Sequence, residues 1–292
     1  TSIGLADSYN LCGALEFSEK LSKVGTQPLI GTQINLRAND IVGKITLYAT
    51  SEQGYKNLTK LSSLSYLKNK PTEEPACVLN DLISNNEDLI LLTGNYYNFF
   101  GKLFYANKIK DFEKIIQSLK SNFQDRLYIE IQRHEEDQEK NFESYLLNSS
   151  KIWDIPLIAT QEVFYINRDM YEAHDALTCI GEKNFVDDNN RLKYSSQHYL
   201  KKDQELSKLY SDIPEALENN YSFHLRFNYK PKKSKPILPS IANEKYNTPE
   251  EALIKLAKVG LENRVKNFIL KRNLKKTEDQ IKSVYEDRLL HE

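Results

Sequence analysis

Short, uninterrupted apolar runs, each followed by a polar corner and then an amphipathic helical stretch, constrain this chain more than any other feature. Arg126 to Gln132 alternates Leu127, Ile129 and Ile131 with polar or aromatic partners, while Pro28 to Gly31, Lys44 to Ala49, Asp88 to Thr93 and Ile155 to Ala159 are such runs. Runs that are apolar throughout mark strands buried on both faces, and their alternation with helices points to a parallel sheet. The last run carries Pro156 at its entrance, where a strand tolerates proline. It leads through Thr160-Gln161-Glu162 into a helix that repeats Met170, Ala173, Leu177 and Ile180 at helical spacing, which predicts a buried face there. The chain reads as roughly six strand-then-helix pairs, with a strand from Thr1 to Leu5 at its start. One more unit in front of Thr1 would close a barrel. An open doubly wound sheet fits the pattern equally well.

Composition removes several function classes. There are 40 Lys and Arg against 41 Asp and Glu, for a net charge of -1, so the global basic excess of a non-specific nucleic-acid binder is absent. Cys12, Cys77 and Cys179 are too few and too scattered for a disulfide framework, and no C-x-x-C pair suggests zinc. A reducing, cytoplasmic setting is expected, with no membrane association, because no apolar run approaches the roughly 20 residues of a span. The strand pattern fades after Ile180. Tyr229 to Pro239, rich in proline and lysine, reads as a linker or as a basic strip contacting nucleic acid. Thr248-Pro249-Glu250-Glu251 is a strong helix start, and a further helix is expected near Thr277 to Leu290. Both ends of the chain look cut within structural elements.

Five strings, read together, have the look of a known family. They are IGLADSYNLCGALEF (Ile3 to Phe17), PLIGTQ (Pro28 to Gln33), LYIEIQRH (Leu127 to His134), PLIATQEVFYINRDMYEAHDALTCI (Pro156 to Ile180) and YLKKDQELSKLYSDIPEALENN (Tyr199 to Asn220). In order and spacing they resemble the PHP (polymerase and histidinol phosphatase) domain of bacterial DNA polymerase III alpha subunits. Leu238 to Arg264 looks like the first helices of the polymerase palm. The resemblance implies an α/β fold: a PHP-type distorted β/α, TIM-like barrel lacking its first strand, followed by a small helical segment. It divides the chain into a PHP domain over 1–228, a Pro/Lys linker over 229–240 and a helical start of the palm over 241–292.

The resemblance also implies a DNA-directed DNA polymerase as the parent chain, using Mg, with this fragment itself inactive and without a cofactor of its own. Metal-dependent members hold their ions with histidines and carboxylates from several strand ends. Here the family pattern T-D-H-G is Ala6-Asp7-Ser8-Tyr9, G-C-E is Gly31-Thr32-Gln33, and N-D-V-H is Gln161-Glu162-Val163-Phe164. Asp7, Ser8, Gln33, His134, Glu162 and Phe164 are therefore expected to be positions of a degenerate metal site, with no catalytic residue among them. Asp7 and Glu162 could still form a carboxylate pair at the mouth. The expected role is a scaffold that docks the 3′–5′ proofreading exonuclease subunit and other polymerase III holoenzyme subunits, with DNA bound through the parent chain. The alternative is an active metal-dependent phosphoesterase or 3′–5′ exonuclease. Asn95 to Tyr105, NYYNFFGKLFY, is either an aromatic interface patch or part of the domain's own core. Cys12 and Cys179 are expected to be buried packing residues.

Overall fold

In a computed structural model, which describes residues 1–236, 246, 248–272 and 277–291, the chain forms two compact units, Thr1–Lys233 and Ser234–Glu292. The first is a curled α/β half-barrel. Its strands are β1 (Ser2–Ser8), β2 (Gln27–Ala38), β3 (Ile41–Ala49), β4 (Cys77–Val78), β5 (Leu89–Leu92), β6 (Leu127–Gln132) and β7 (Leu157–Thr160). They form one seven-stranded sheet in the order β1-β2-β3-β5-β6-β7, with β4 paired to β2. The helices of this unit are α1 (Ala14–Lys23), α2 (Glu52–Leu67), α3 (Leu79–Ile83), α4 (Phe99–Tyr105), α5 (Ile109–Phe123), α6 (Glu139–Trp153), α7 (Tyr171–Glu182), α8 (Asp203–Leu209) and α9 (Pro214–Phe223).

The expected all-parallel sheet of strand-then-helix pairs needs correction at β3. That strand runs antiparallel to both β2 and β5. No helix separates β2 from β3. The chain turns directly through Asn39, whose φ of 53° is one that asparagine tolerates well. The alternation of Ile34 and Leu36 with polar residues carries β2 on to Ala38, well past Gly31. Cys77 and Val78 supply the two-residue β4, parallel to β2. Gly43 is required where α4 crosses β3, because a Cβ there would lie 2.6 Å from the Cα of Phe99.

Side-chain alternation along each strand sorts residues into two environments. Ile34, Leu36, Ile45, Leu47, Leu89, Leu91, Leu127, Ile129, Ile131, Leu157 and Ala159 face the helices in one large buried core. The opposite residues point inside the curl. There Leu29, Tyr48, Ile90, Leu92, Tyr128 and Ile158 meet Phe223 and Phe227 in a second, smaller cluster. The upper part of the same inner face is polar. Asn95 to Tyr105 belongs to the outer core: Phe99 and Phe100 are fully buried, and Phe100 meets Phe112 edge-on.

Among the described residues β1 and β7 do not pair, so the sheet stays open between them. A bare strand edge is a liability. Asparagine side chains cover that of β7: Asn219 donates to the Leu157 carbonyl (2.7 Å), while Asn220 donates to the Ala159 carbonyl (2.6 Å) and accepts from its N–H (3.2 Å). Residues 229–233 of the expected linker lie against the half-barrel. Tyr229 packs on Tyr55, and Lys233 pairs with Glu19. The remainder of that linker from residue 237, and the start of the palm-like segment up to 245, lie outside the described residues.

Helix α7 departs from expectation. Its repeating apolar positions are exposed, Met170 at 44%, Leu177 at 64% and Ile180 at 74%. The side turned to the domain carries Asp175 and Cys179 instead. Asp175 is held by both terminal nitrogens of Arg191 (2.6 and 2.7 Å), so an ion pair and not an apolar stripe seats the helix. Cys179 is buried as expected, whereas Cys12, which precedes α1 instead of lying on it, is exposed. In the second unit α10 (Pro249–Arg264) starts as the sequence predicts, with the Thr248 hydroxyl accepting from the Glu251 N–H (3.1 Å), and α11 spans Glu278–His291.

Candidate functional site: a polar barrel mouth

At the carboxyl ends of the strands, where β/α barrels keep their chemistry, the inner face becomes a buried polar layer. Ser8, Gln33 and Thr46 stand in one row, because Ser8 and Gln33 are register partners and so are Gln33 and Thr46. Asn35 and Lys44 form the next row. From the other side come Glu130 and Gln132 of β6, Thr160 of β7, and Asn95 and Glu162 from the loops after β5 and β7.

These groups form two hydrogen-bonded chains, Lys44–Ser8–Gln33 and Glu162–Asn95–Gln132–Glu130. The Lys44 ammonium donates to Ser8 Oγ (2.9 Å), and Ser8 donates to Gln33 Oε1 (2.9 Å). On the other side of the mouth Asn95 donates to Glu162 (3.4 Å). Asn95 also donates to Gln132 Oε1 (2.9 Å), and Gln132 Nε2 donates to Glu130 Oε1 (2.8 Å) and shares Thr160. Glu130 further accepts from the Thr160 hydroxyl and from the Gly94 N–H (2.9 Å). Burial pushes the Glu130 carboxyl above its usual range, against the lowering effect of Thr160, Gln132 and Gly94. Burial likewise raises Glu162, opposed first by Lys44 and then by Gln33 and Asn95.

Of the positions singled out from sequence, Ser8, Gln33 and Glu162 converge in this layer. Asp7 does not. It is adjacent to Ser8 on a strand, so its side chain leaves by the other face, toward Gly13. An Asp7–Glu162 carboxylate pair is therefore ruled out by strand alternation. His134 lies in the loop after β6, hydrogen-bonded and not solvent-facing: it is 1% exposed and both ring nitrogens are engaged. Nδ1 lies 3.1 Å from Glu139 Oε1, and Nε2 accepts from the Glu162 N–H (3.2 Å), which sets the tautomer with the proton on Nδ1. Glu139 opens α6 and also accepts the His134 and Glu136 backbone N–H groups, where a carboxylate suits a helix start. Phe164 stands outside the polar chains, in a four-ring stack ordered His134, His198, Phe164, His174.

Sequence reasoning missed Lys44, Asn95, Glu130, Gln132, Thr160 and His198. A signal existed for two of them: LYIEIQ alternates two classes of side chain within a strand buried on both faces, placing Glu130 and Gln132 on one inner side. His198, assigned no role from sequence, is fully buried. Its Nδ1 lies 3.0 Å from the Glu162 carbonyl, while Nε2 has no hydrogen-bond partner and lies 3.9 Å from Glu136 Oε1. Burial, with His134 alongside, lowers its pKa to about 3. Among the described residues no group of three His, Cys, Asp or Glu side chains is placed to hold a metal ion, and no helix is long and apolar enough to cross a membrane.

Comparison with known proteins agrees with the strings that carry the resemblance. Residues 1–134 match the PHP domain family. Proteins named DNA polymerase III subunit alpha match at 34% identity in Caulobacter vibrioides (91% of this chain, 24% of that protein) and at 35% in Rickettsia conorii (100% and 25%). The same holds in Borreliella burgdorferi, at 34% (92% and 25%). The chain thus spans about a quarter of the length of these curated relatives. A solved structure described as a candidate metal-dependent phosphoesterase from Bifidobacterium adolescentis aligns at 10% identity with a TM-score of 0.36, over 55% of this chain and 76% of that one, and carries no weight here. The chain contains a PHP domain of the kind found in DNA polymerase III alpha subunits.

Proposed function

We propose that this PHP domain is a non-catalytic scaffold within a replicative DNA polymerase III alpha subunit, and that it docks the 3′–5′ proofreading exonuclease subunit. In the parent protein, polymerisation and its magnesium would reside in the three-quarters of the relatives' length that is not matched here, and DNA would be bound through that part. One observation carries the reading. The mouth's polar groups bond to one another in two chains, Lys44 to Gln33 and Glu162 to Glu130, and His134 has neither ring nitrogen to spare.

The donor set is a poor fit to the divalent ions of metal-dependent PHP enzymes. Such ions need several carboxylates or free imidazoles at coordinating distance. Here the ligand types are a hydroxyl at 8, an amide at 33 and a phenyl ring at 164, and the surviving carboxylate Glu162 already accepts from the Asn95 amide. A rigid barrel relieved of metal binding still offers broad loop surfaces for a partner. The test has two arms on the 292-residue chain. Capture of the cognate exonuclease subunit, together with no manganese-dependent hydrolysis of single-stranded DNA, supports the scaffold. Hydrolysis that is lost in Glu162→Gln would establish the phosphoesterase or exonuclease reading in its place.

A further inference from the structure

We infer that Lys44 is the built-in cation of the barrel mouth: its ammonium, bonded to Ser8 and through it to Gln33, stands in for a bound metal ion as the mouth's positive charge. The inference rests on the non-catalytic reading above and adds the residue that makes the lost ligands mutually consistent.

Lys44 occupies the middle of a hairpin strand whose neighbour Ile45 is wholly in the helix-facing core, so strand alternation turns Lys44 inward. A long ammonium on the inner face of a sheet has to find acceptors there. It reaches Ser8 Oγ at 2.9 Å and lies 5.5 Å from the centre of the Tyr9 ring, within range of a cation–π contact. Tyr9 is brought under it by a left-handed backbone (φ 65°), with its N–H bonded to the Gln33 carbonyl (2.8 Å). Ser8 passes the interaction to Gln33 Oε1 (2.9 Å), and the Lys44 charge is the chief influence opposing the effect of burial on the Glu162 carboxyl.

Each substituted position now has a physical role beside the lysine. Serine at 8 is small enough for the ammonium to come in, and its hydroxyl both accepts from Lys44 and donates onward. Glutamine at 33 can accept at one atom and donate at another, which a carboxylate cannot do. Glu162, whose carboxyl the Lys44 charge favours in its ionised form, supplies negative charge opposite the ammonium. A divalent ion entering the mouth would meet a like charge already in place.

A double-mutant cycle on the full 292-residue chain tests this, using thermal unfolding of wild type, Lys44→Met, Glu162→Gln and the double variant, with Mn2+ as the metal probe. Removing one member of a partly buried charge pair leaves the other uncompensated, whereas replacing both is milder. Lys44→Met is expected to lower Tm by about 5 °C, and adding Glu162→Gln to recover at least half of that loss. Wild type is expected to show no calorimetric Mn2+ binding. Strictly additive effects, or a silent Lys44→Met, with no Mn2+ bound, would overturn the role of Lys44 and leave the scaffold reading standing. Stoichiometric Mn2+ in wild type would overturn both. If Lys44→Met alone fails to fold, the double variant decides: a folded double variant supports the pair, and an unfolded one refutes it.

Discussion

The two faces of one sheet teach different lessons. The helix-facing side is a continuous layer of Leu, Ile and Phe whose members are interchangeable in kind. The inner face is apolar only at its lower end and polar at the mouth, where each group has a named partner. Non-directional burial holds the first, and stability there scales with area. Directional bonds hold the second, so a loss is felt as an orphaned donor or acceptor. The sequence constrains the first loosely and the second closely.

The largest effect should come from the outer face. Phe112 is 1% exposed and contacts the rings of Phe100, Tyr145 and Trp153. Phe112→Ala should cost about 4 kcal/mol through lost transfer energy and a cavity, read by chemical denaturation. Glu130→Ala on the inner face should cost somewhat less, about 3 kcal/mol, because it strands the Gly94 N–H, Gln132 and Thr160 in a buried layer. If the cost were under about 0.5 kcal/mol, the mouth would not be the closed network described.

Acid should separate the faces further. His198 titrates near 6.5 when unfolded and near 3 when folded, chiefly through burial. Its depressed folded pKa means the unfolded chain takes up a proton first. The stability it contributes is therefore complete above about pH 6.5 and is lost as pH falls toward 3. Between pH 7 and 5 the loss should reach about 2 kcal/mol, and His198→Phe should flatten that part of the profile. An unchanged profile in the variant would reassign the acid sensitivity elsewhere. At the bottom of the scale, Lys20→Ala breaks a solvent-exposed pair with Glu16 on α1 and should leave Tm unchanged.

What was legible in the sequence follows the same division. LILL declared a strand because burial on both faces leaves an apolar run, and LYIEIQ because its side chains alternate at strand period. The antiparallel β3 did not, since a single left-handed asparagine replaces the helix that the repeat leads one to expect. Periodicity also misassigned α7: Met170, Leu177 and Ile180 keep helical spacing, yet Asp175 and Arg191 choose the inward side. At the mouth, family patterns located Ser8, Gln33 and Glu162 by what they lack. What they do instead depends on Lys44, Asn95 and Glu130, which lie tens of residues away and meet only in the folded sheet.

A lysine bonded to Ser8 and through it to Gln33, and not a metal ion, is expected to complete the mouth. A crystal of this chain grown with Mn2+ and measured at the manganese absorption edge tests it most directly. The account predicts no anomalous peak between Ser8, Gln33 and Glu162, with Lys44 Nζ at hydrogen-bonding distance from Ser8 Oγ. A peak ligated by Glu162 and His134, with Lys44 displaced from Ser8, would contradict it.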